Sequence, residues 1–167
     1  MTNLAIFAAG CFWGIEEKFL SQPGVLNTEV GYIGGVTKNP NYQDVCIGNT
    51  EHAEAVRVKF ESQAISYESL LKLFFEIHDP TTLNRQGPDI GTQYRSEIFC
   101  LDEDQYLIAD TFKRNLNNDK FNGNIVTSIS MAATFWIAEE HHQKYICLLY
   151  TSPSPRDLST SRMPSSA

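Results

Sequence analysis

The residue with the clearest capacity for chemistry is Cys11, in the run Gly10-Cys11-Phe12-Trp13-Gly14. A thiol between glycines at the start of a helix lies at the positive end of the macrodipole, which favours thiolate and raises its reactivity. The two adjoining aromatics offer it an apolar, polarisable wall. Taken alone, a cysteine in a turn is more often a small buried hydrophobe, with Phe12 and Trp13 as ordinary core. Glu54 is the second candidate. In the run 53–60, Val56, Val58 and Phe60 share one strand face while Arg57 and Lys59 point the other way, and the same count puts Glu54 on the apolar face. Desolvation there raises a carboxyl pKa and keeps the group protonated, as a general acid must be. A local flip of the strand, or a salt bridge to Arg57 or Arg95, is the alternative. Tyr42, Asp89 and Tyr94 lie in two polar stretches, where hydroxyl and carboxyl groups can converge on a substrate oxygen.

The elements that must position these groups follow from periodicity. Strands are expected over 4–8, 25–32, 53–60 and 96–101, and through Ile125, Thr127, Ile129 and Met131. A helix over 14–21 is stopped by Gln22-Pro23-Gly24, so Cys11 falls in a strand-to-helix turn. Tyr67, Leu70, Leu71, Phe74, Phe75 and His78 form an amphipathic stripe that Asp79-Pro80 ends. Asp102 with Gln105 reads as a capping box opening a helix through Ile108, Phe112 and Leu116, with its turn at Asn117-Asn118-Asp119 and Asn122-Gly123. A last helix is expected over 135–149, and 37–50 reads as a long loop. Strands and helices in this mixed order indicate an α+β layer fold.

With 167 residues and 42% hydrophobic content, one domain over 1–150 is expected. The Ser/Thr/Pro tail 151–167 has little to bury; it reads as disordered, and as cloning or adaptor read-through rather than native chain. A formal charge of −7 argues against nucleic acid and anionic membranes as partners. The opening residues lack a basic segment and their apolar run, 4–9, is short, which points to the cytoplasm. Cys11, Cys46, Cys100 and Cys147 include no C-x-x-C pair, and His52, His78, His141 and His142 have no ligand spacing, so no metal is expected. Gly31, Gly34 and Gly35 form no phosphate loop; they let the backbone pass close to the site.

Six stretches then carry a specific resemblance: Gly10-Cys11-Phe12-Trp13-Gly14, Asn41-Tyr42-Gln43-Asp44-Val45-Cys46, His52-Ala53-Glu54, His78-Asp79-Pro80-Thr81, Asn84-Arg85-Gln86-Gly87 and Gly91-Thr92-Gln93-Tyr94-Arg95-Ser96. In this order they resemble the signature blocks of the A-type methionine sulfoxide reductases. The resemblance implies a two-layer mixed-sheet sandwich with a ferredoxin-like core. It makes Cys11 the nucleophile and Glu54 the acid that protonates the sulfoxide oxygen. Phe12 and Trp13 would line a pocket for the S-methyl group, and Tyr42, Asp89 and Tyr94 would bind substrate, the tyrosines through that oxygen. The implied reaction reduces methionine S-sulfoxide, free or in oxidised proteins, through a cysteine sulfenic acid, as protein repair after oxidative stress. A monomer with no cofactor is implied, recycled by a resolving thiol and an external reductant, thioredoxin or another thiol.

The chain departs from the family pattern at its end. Many relatives carry resolving cysteines in a glycine-rich extension, whereas here Cys147 is the one C-terminal thiol and so the candidate for that task. Cys46 and Cys100 read as structural, and direct reduction of the sulfenic acid by an external thiol is the other route. Glu51, Ile33 and His141 replace the family's usual glycine, alanine and tyrosine. Two further readings stay open on the residues alone: a thiol sensor or sulfoxide-binding module that reacts once, and a purely structural domain with an inert Cys11.

Overall fold

In the computed structural model, residues 2–145 are described. In chain order they form β1 (Thr2–Ala9), α1 (Phe12–Leu20), β2 (Val25–Ile33), α2 (Tyr42–Ile47), β3 (Ala53–Glu61), α3 (Tyr67–Glu76), the short hairpin β4 (Arg85–Gln86) and β5 (Asp89–Ile90), β6 (Ser96–Cys100), α4 (Glu103–Asp119), β7 (Ser128–Met131) and β8 (Trp136–Ile137). Single 3-10 turns span Thr92–Tyr94 and Glu140–His142. Six strands form one mixed sheet in the order β7-β6-β1-β3-β2-β8. Its neighbours are antiparallel except β6 and β7, and that parallel pair requires a long crossover, which α4 supplies. The expected α+β mixed-sheet fold is borne out.

Central strand β1 is buried on both faces, which is why its sequence reads as a continuous apolar run. Ala5, Phe7 and Ala9 face the larger core with Phe19, Leu70, Leu71 and Phe74, so α1 and α3 form the second layer. Phe7 anchors it, with ring centroids 5.0 Å from Phe19 and 5.3 Å from Phe74. Ile6 and Ala8 face a smaller cluster with Ile33, Ala53, Ala55 and Phe99, against which Ala132 and Phe135 pack.

Several expectations need correction. The stretch 37–50 contains α2, capped by Asn41, whose side chain accepts from Asp44 N–H at 2.8 Å, and closed by Gly48 at φ +88°. Six residues are too few to display a helical period. The capping box at Asp102 is half formed: Asp102 accepts from Gln105 N–H at 2.8 Å, but Gln105 turns to Leu101 N–H and the Leu4 carbonyl, tying α4 to β1. Residues 117–119 are still helix, and β7 begins only at Ser128, with Ile125 and Thr127 buried before it. Glu51, where the resemblance calls for glycine, is in the left-handed region at φ +61°.

The largest difference concerns the expected helix over 135–149. Its described part, 135–145, forms strand β8 and a 3-10 turn, and the remainder, with Cys147 and the tail, lies outside the described residues. β8 extends the edge of β2 through the pairs Gly31↔Ile137 and Tyr32↔Trp136. Gly31 makes this approach possible, because a Cβ there would stand 2.4 Å from the Trp136 carbonyl oxygen. Gly31→Ala should therefore push β8 and the segment behind it off the sheet, with a loss of about 1–3 kcal/mol in chemical denaturation; an unchanged midpoint would show that the edge adjusts freely.

Candidate active site

Cys11 ends the turn between β1 and α1. Gly10, at φ +101°, reverses the chain there, and a Cβ on it would lie 2.8 Å from Gln86 Cγ. Gln86 braces the turn from the hairpin side: its Oε1 accepts from Asp79 N–H at 3.0 Å and its Nε2 donates to the Asp79 carbonyl. Cys11 is the N-cap of α1, half-buried, and its sulfur makes no capping hydrogen bond. Contrary to the expectation of a stabilised thiolate, its pKa is pushed up to about 12. Burial is the main cause and the charge of Glu54 the next; the N–H groups of Trp13 and Gly14 pull the other way, with less effect.

Glu54, on β3, is 1% exposed. Its Oε1 accepts from the backbone N–H of Phe12, the first residue of α1, at 3.2 Å, while Oε2 is buried with no partner among the described residues. Burial raises its pKa to about 8; the Phe12 N–H opposes this and the nearby charge of Asp89 adds to it. Neither arginine considered as a partner reaches it. Arg57 pairs with Glu29 at 2.6 Å and Arg95 with Glu97 at 2.7 Å. Near neutrality the pair is therefore a thiol beside a carboxylic acid.

An aromatic wall stands over the pair. Phe12 and Trp13 are buried, and the ring of Tyr42, from α2, lies 6.4 Å from Phe12 and 5.8 Å from Trp13 between centroids. Tyr94 is 5% exposed. Its hydroxyl pKa lies above the usual range through burial and then the charge of Glu54, with Cys46, Asp89 and Cys11 also acting on it. Asp89, on β5, is half-buried and its pKa is raised by desolvation. Mutual electrostatic effects thus tie Cys11, Glu54, Asp89 and Tyr94 into one site, and ring contacts join Phe12, Trp13 and Tyr42 to it.

Three residues of the site have no signal in sequence periodicity. Tyr32 pairs with Glu54 across β2 and β3, and its ring lies 5.8 Å from Phe12. His142 is buried against Trp13 and Tyr42; its Nδ1 accepts from Trp13 Nε1 at 3.1 Å, which leaves the proton on Nε2. Burial pulls its pKa down to about 4, so the ring is neutral. Glu139 accepts from both Tyr32 and Tyr42. The remaining histidines have local duties. His52 accepts from Gly35 N–H and donates to the Thr37 carbonyl; His78 donates to the Phe74 carbonyl and accepts from Ser96 Oγ. Among the described residues no group of three or more His, Cys, Asp or Glu could hold a metal ion.

Fold and site together define a thiol-dependent oxidoreductase. A family model described as peptide methionine sulfoxide reductase matches residues 3–158, and the chain belongs to that family. It is 52% identical over 144 residues to the peptide methionine sulfoxide reductase MsrA of Pelagibacter ubique (strain HTCC1062), covering 86% of this chain and 97% of that one. Its fold is similar to that of Mxr1 from Saccharomyces cerevisiae in reduced form, with a TM-score of 0.84, 34% identity, and 92% and 88% of the two chains covered. A structure of Mxr1 in complex with Trx2 shares the fold at 24% identity, with a TM-score of 0.62 over 86% of this chain and 84% of that one.

The buried carboxyl has a consequence for stability. With its pKa raised from 4.5 to about 8, folded Glu54 keeps a proton that the unfolded chain releases. Between those values the unfolded state binds fewer protons, so stability falls as pH rises and levels off above about 8. Glu54→Gln carries no such loss. Its melting temperature relative to wild type should rise between pH 5 and pH 8 by roughly 10 °C; a gap independent of pH would mean that Glu54 is ionised in the folded chain.

Proposed function

We propose that Cys11 is the nucleophile and Glu54 the general acid in reduction of methionine S-sulfoxide, free or in oxidised proteins. The observation that carries this reading is the bond from Phe12 N–H to Glu54, which sets a protonated acid one residue from the thiol. A sulfoxide needs a donor for its oxygen and an apolar wall for its methyl group. Phe12 and Trp13 supply the wall, and Tyr42 and Tyr94 donate to the oxygen, with Asp89 contacting the substrate beside them. The Cys11 sulfur attacks the sulfoxide sulfur as Glu54 protonates the oxygen. The S–S bond so formed then breaks as the protonated oxygen passes from the substrate sulfur to the Cys11 sulfur, which releases methionine and leaves Cys11 as sulfenic acid, and the proton lost by the thiol returns to Glu54. Sulfur of the substrate is reduced by two electrons and the cysteine is oxidised by two.

Regeneration takes those two electrons from an external dithiol of the thioredoxin class, either directly or after Cys147 has condensed with the sulfenic acid. No bound cofactor takes part. We take the enzyme to be a cytoplasmic monomer whose catalytic domain is residues 1–150. Among the described residues no helix is long and apolar enough to cross a membrane, and the charge of −7 disfavours nucleic acid.

With dithiothreitol as reductant, Cys11→Ser should abolish sulfoxide-dependent turnover and Glu54→Gln should lower it by about 10²- to 10³-fold. Wild-type kcat/KM should fall above pH 8 as Glu54 loses its proton. Turnover persisting in Cys11→Ser would refute the assignment, and a burst without steady state would mark a thiol that reacts only once. Alkylation of resting Cys11 at pH 7 should be slower than that of free cysteine, since its pKa is near 12; fast alkylation would show a thiolate in the resting enzyme. Mass-spectrometric mapping after one turnover should find a Cys11–Cys147 disulfide, and a free Cys147 would leave direct reduction as the route.

A further inference from the structure

Glu139 joins three parts of the chain through one carboxylate. Its Oε1 accepts from the Tyr32 hydroxyl at 2.8 Å, and its Oε2 accepts from Tyr42 N–H at 2.9 Å. Tyr42 is the first residue of α2, so this N–H has no acceptor within the helix. Asn41 serves Asp44 N–H from within the chain, and Glu139 serves Tyr42 from almost a hundred residues away. A longer contact, Gln93 Nε2 to the Cys46 carbonyl at 3.3 Å, holds the other end of α2.

The segment carrying Glu139 is anchored on both sides. Ahead of it, Ala138 N–H donates to the Val30 carbonyl at 2.9 Å. Behind it, the Gln143 side chain acts as an extra rung on the edge of β2, accepting from Val30 N–H and donating to the Val30 carbonyl, each at 2.9 Å. Lys144 N–H then donates to the buried carboxyl of Glu16 at 2.5 Å, and Glu16 also accepts from Thr28 Oγ1 at 2.7 Å. Glu139 is thus a fixed point to which a short helix is tied. Tyr42 packs against His142 from the same anchored segment, with ring centroids 4.4 Å apart.

We propose that Glu139 is a positioning residue for sulfoxide reduction: by gathering Tyr42 N–H and Tyr32 OH on one carboxylate, it sets the Tyr42 hydroxyl at the sulfoxide oxygen. The proposal rests on the reading of Tyr42 as a donor to that oxygen. Alanine at 139 leaves the first turn of α2 without its anchor. Glutamine can keep it, because its Oε1 still accepts from Tyr42 N–H while its amide donates to the Tyr32 oxygen, reversing that one bond.

The test is a double-mutant cycle on full-length enzyme with free methionine sulfoxide and dithiothreitol. Glu139→Ala should lower kcat/KM by about 10- to 100-fold, as expected for a displaced donor. Glu139→Gln should return it to within about threefold of wild type, and in a Tyr42→Phe background Glu139→Ala should cost no more than about threefold. Equal losses in both backgrounds, or none in wild type, overturn the proposal. If Glu139→Ala does not fold by circular dichroism, Glu139→Asp, one methylene too short to span both donors, takes its place in the cycle with the same criteria. Tyr42→Phe at wild-type rates would remove the reading of Tyr42 and the proposal with it, whereas an impaired but additive Tyr42→Phe removes the proposal alone.

Discussion

The structure around the site depends on one buried hydrogen bond, from Phe12 N–H to the carboxyl of Glu54. A helix start presents N–H groups that the helix cannot satisfy, and a carboxyl on the apolar face of a strand has lost its water. Each removes part of the other's cost. The bond also sets geometry, since it fixes the first residue of α1 against β3 and so holds Cys11 beside the acid. Much of the fold can be understood as support for it. β1 and β3 are in register from Thr2↔Glu61 to Phe7↔Val56, which brings the end of β1 alongside Glu54, and Gly10 then turns the chain into the helix.

The same burial decides the electrostatics. In a dry site a thiolate and a carboxylate disfavour each other, so the resting pair stores two protons and no charge. The helix start does favour thiolate, as its position requires, yet two N–H groups at the edge of a short helix do not offset desolvation. Below pH 8 Glu54 is neutral and its repulsion of a Cys11 thiolate vanishes, while the N–H groups of Trp13 and Gly14 remain. Reactivity is thereby coupled to the protonation of the acid. A resting thiol that is not a thiolate also has little tendency toward unselective oxidation or alkylation.

How legible this was from the sequence varies with the kind of signal each part carries. Glu54 could be placed on a buried face because alternation through Val56, Val58 and Phe60 is a local property of one strand, and burial then dictates its protonation. Strands β1, β2, β3 and β6 and helices α1, α3 and α4 were recognisable for the same reason. Helix α2 was not, because six residues held by Asn41 and Gly48 show caps rather than a period. β8 was read as helix because its two residues pair only where Gly31 admits them, a contact between positions over a hundred residues apart. The sign of the Cys11 shift is not legible in the sequence, because the favourable helix start is local and visible whereas the larger unfavourable effect comes from tertiary burial.

The chain beyond the main sheet is therefore part of the site rather than an appendage. β8, Glu139, His142, Gln143 and Lys144 engage β2, α1 and α2 in turn, and each engagement is polar and directional where the central core is apolar. Apolar packing alone would fix α1, whose Phe12 and Phe19 are wholly buried, but would leave α2 loosely placed, since Val45 is its one fully buried residue. Hydrogen bonds to the half-buried carboxylate of Glu139 supply the missing specificity of position at modest net cost, because the donors they satisfy would otherwise be stranded. The catalytic pair is thus set by the sheet and α1, and the wall facing it by the C-terminal segment acting on α2. Two independent supports meet at Phe12, Trp13 and Tyr42, and the space between them can recognise a group that is polar at one end and apolar at the other.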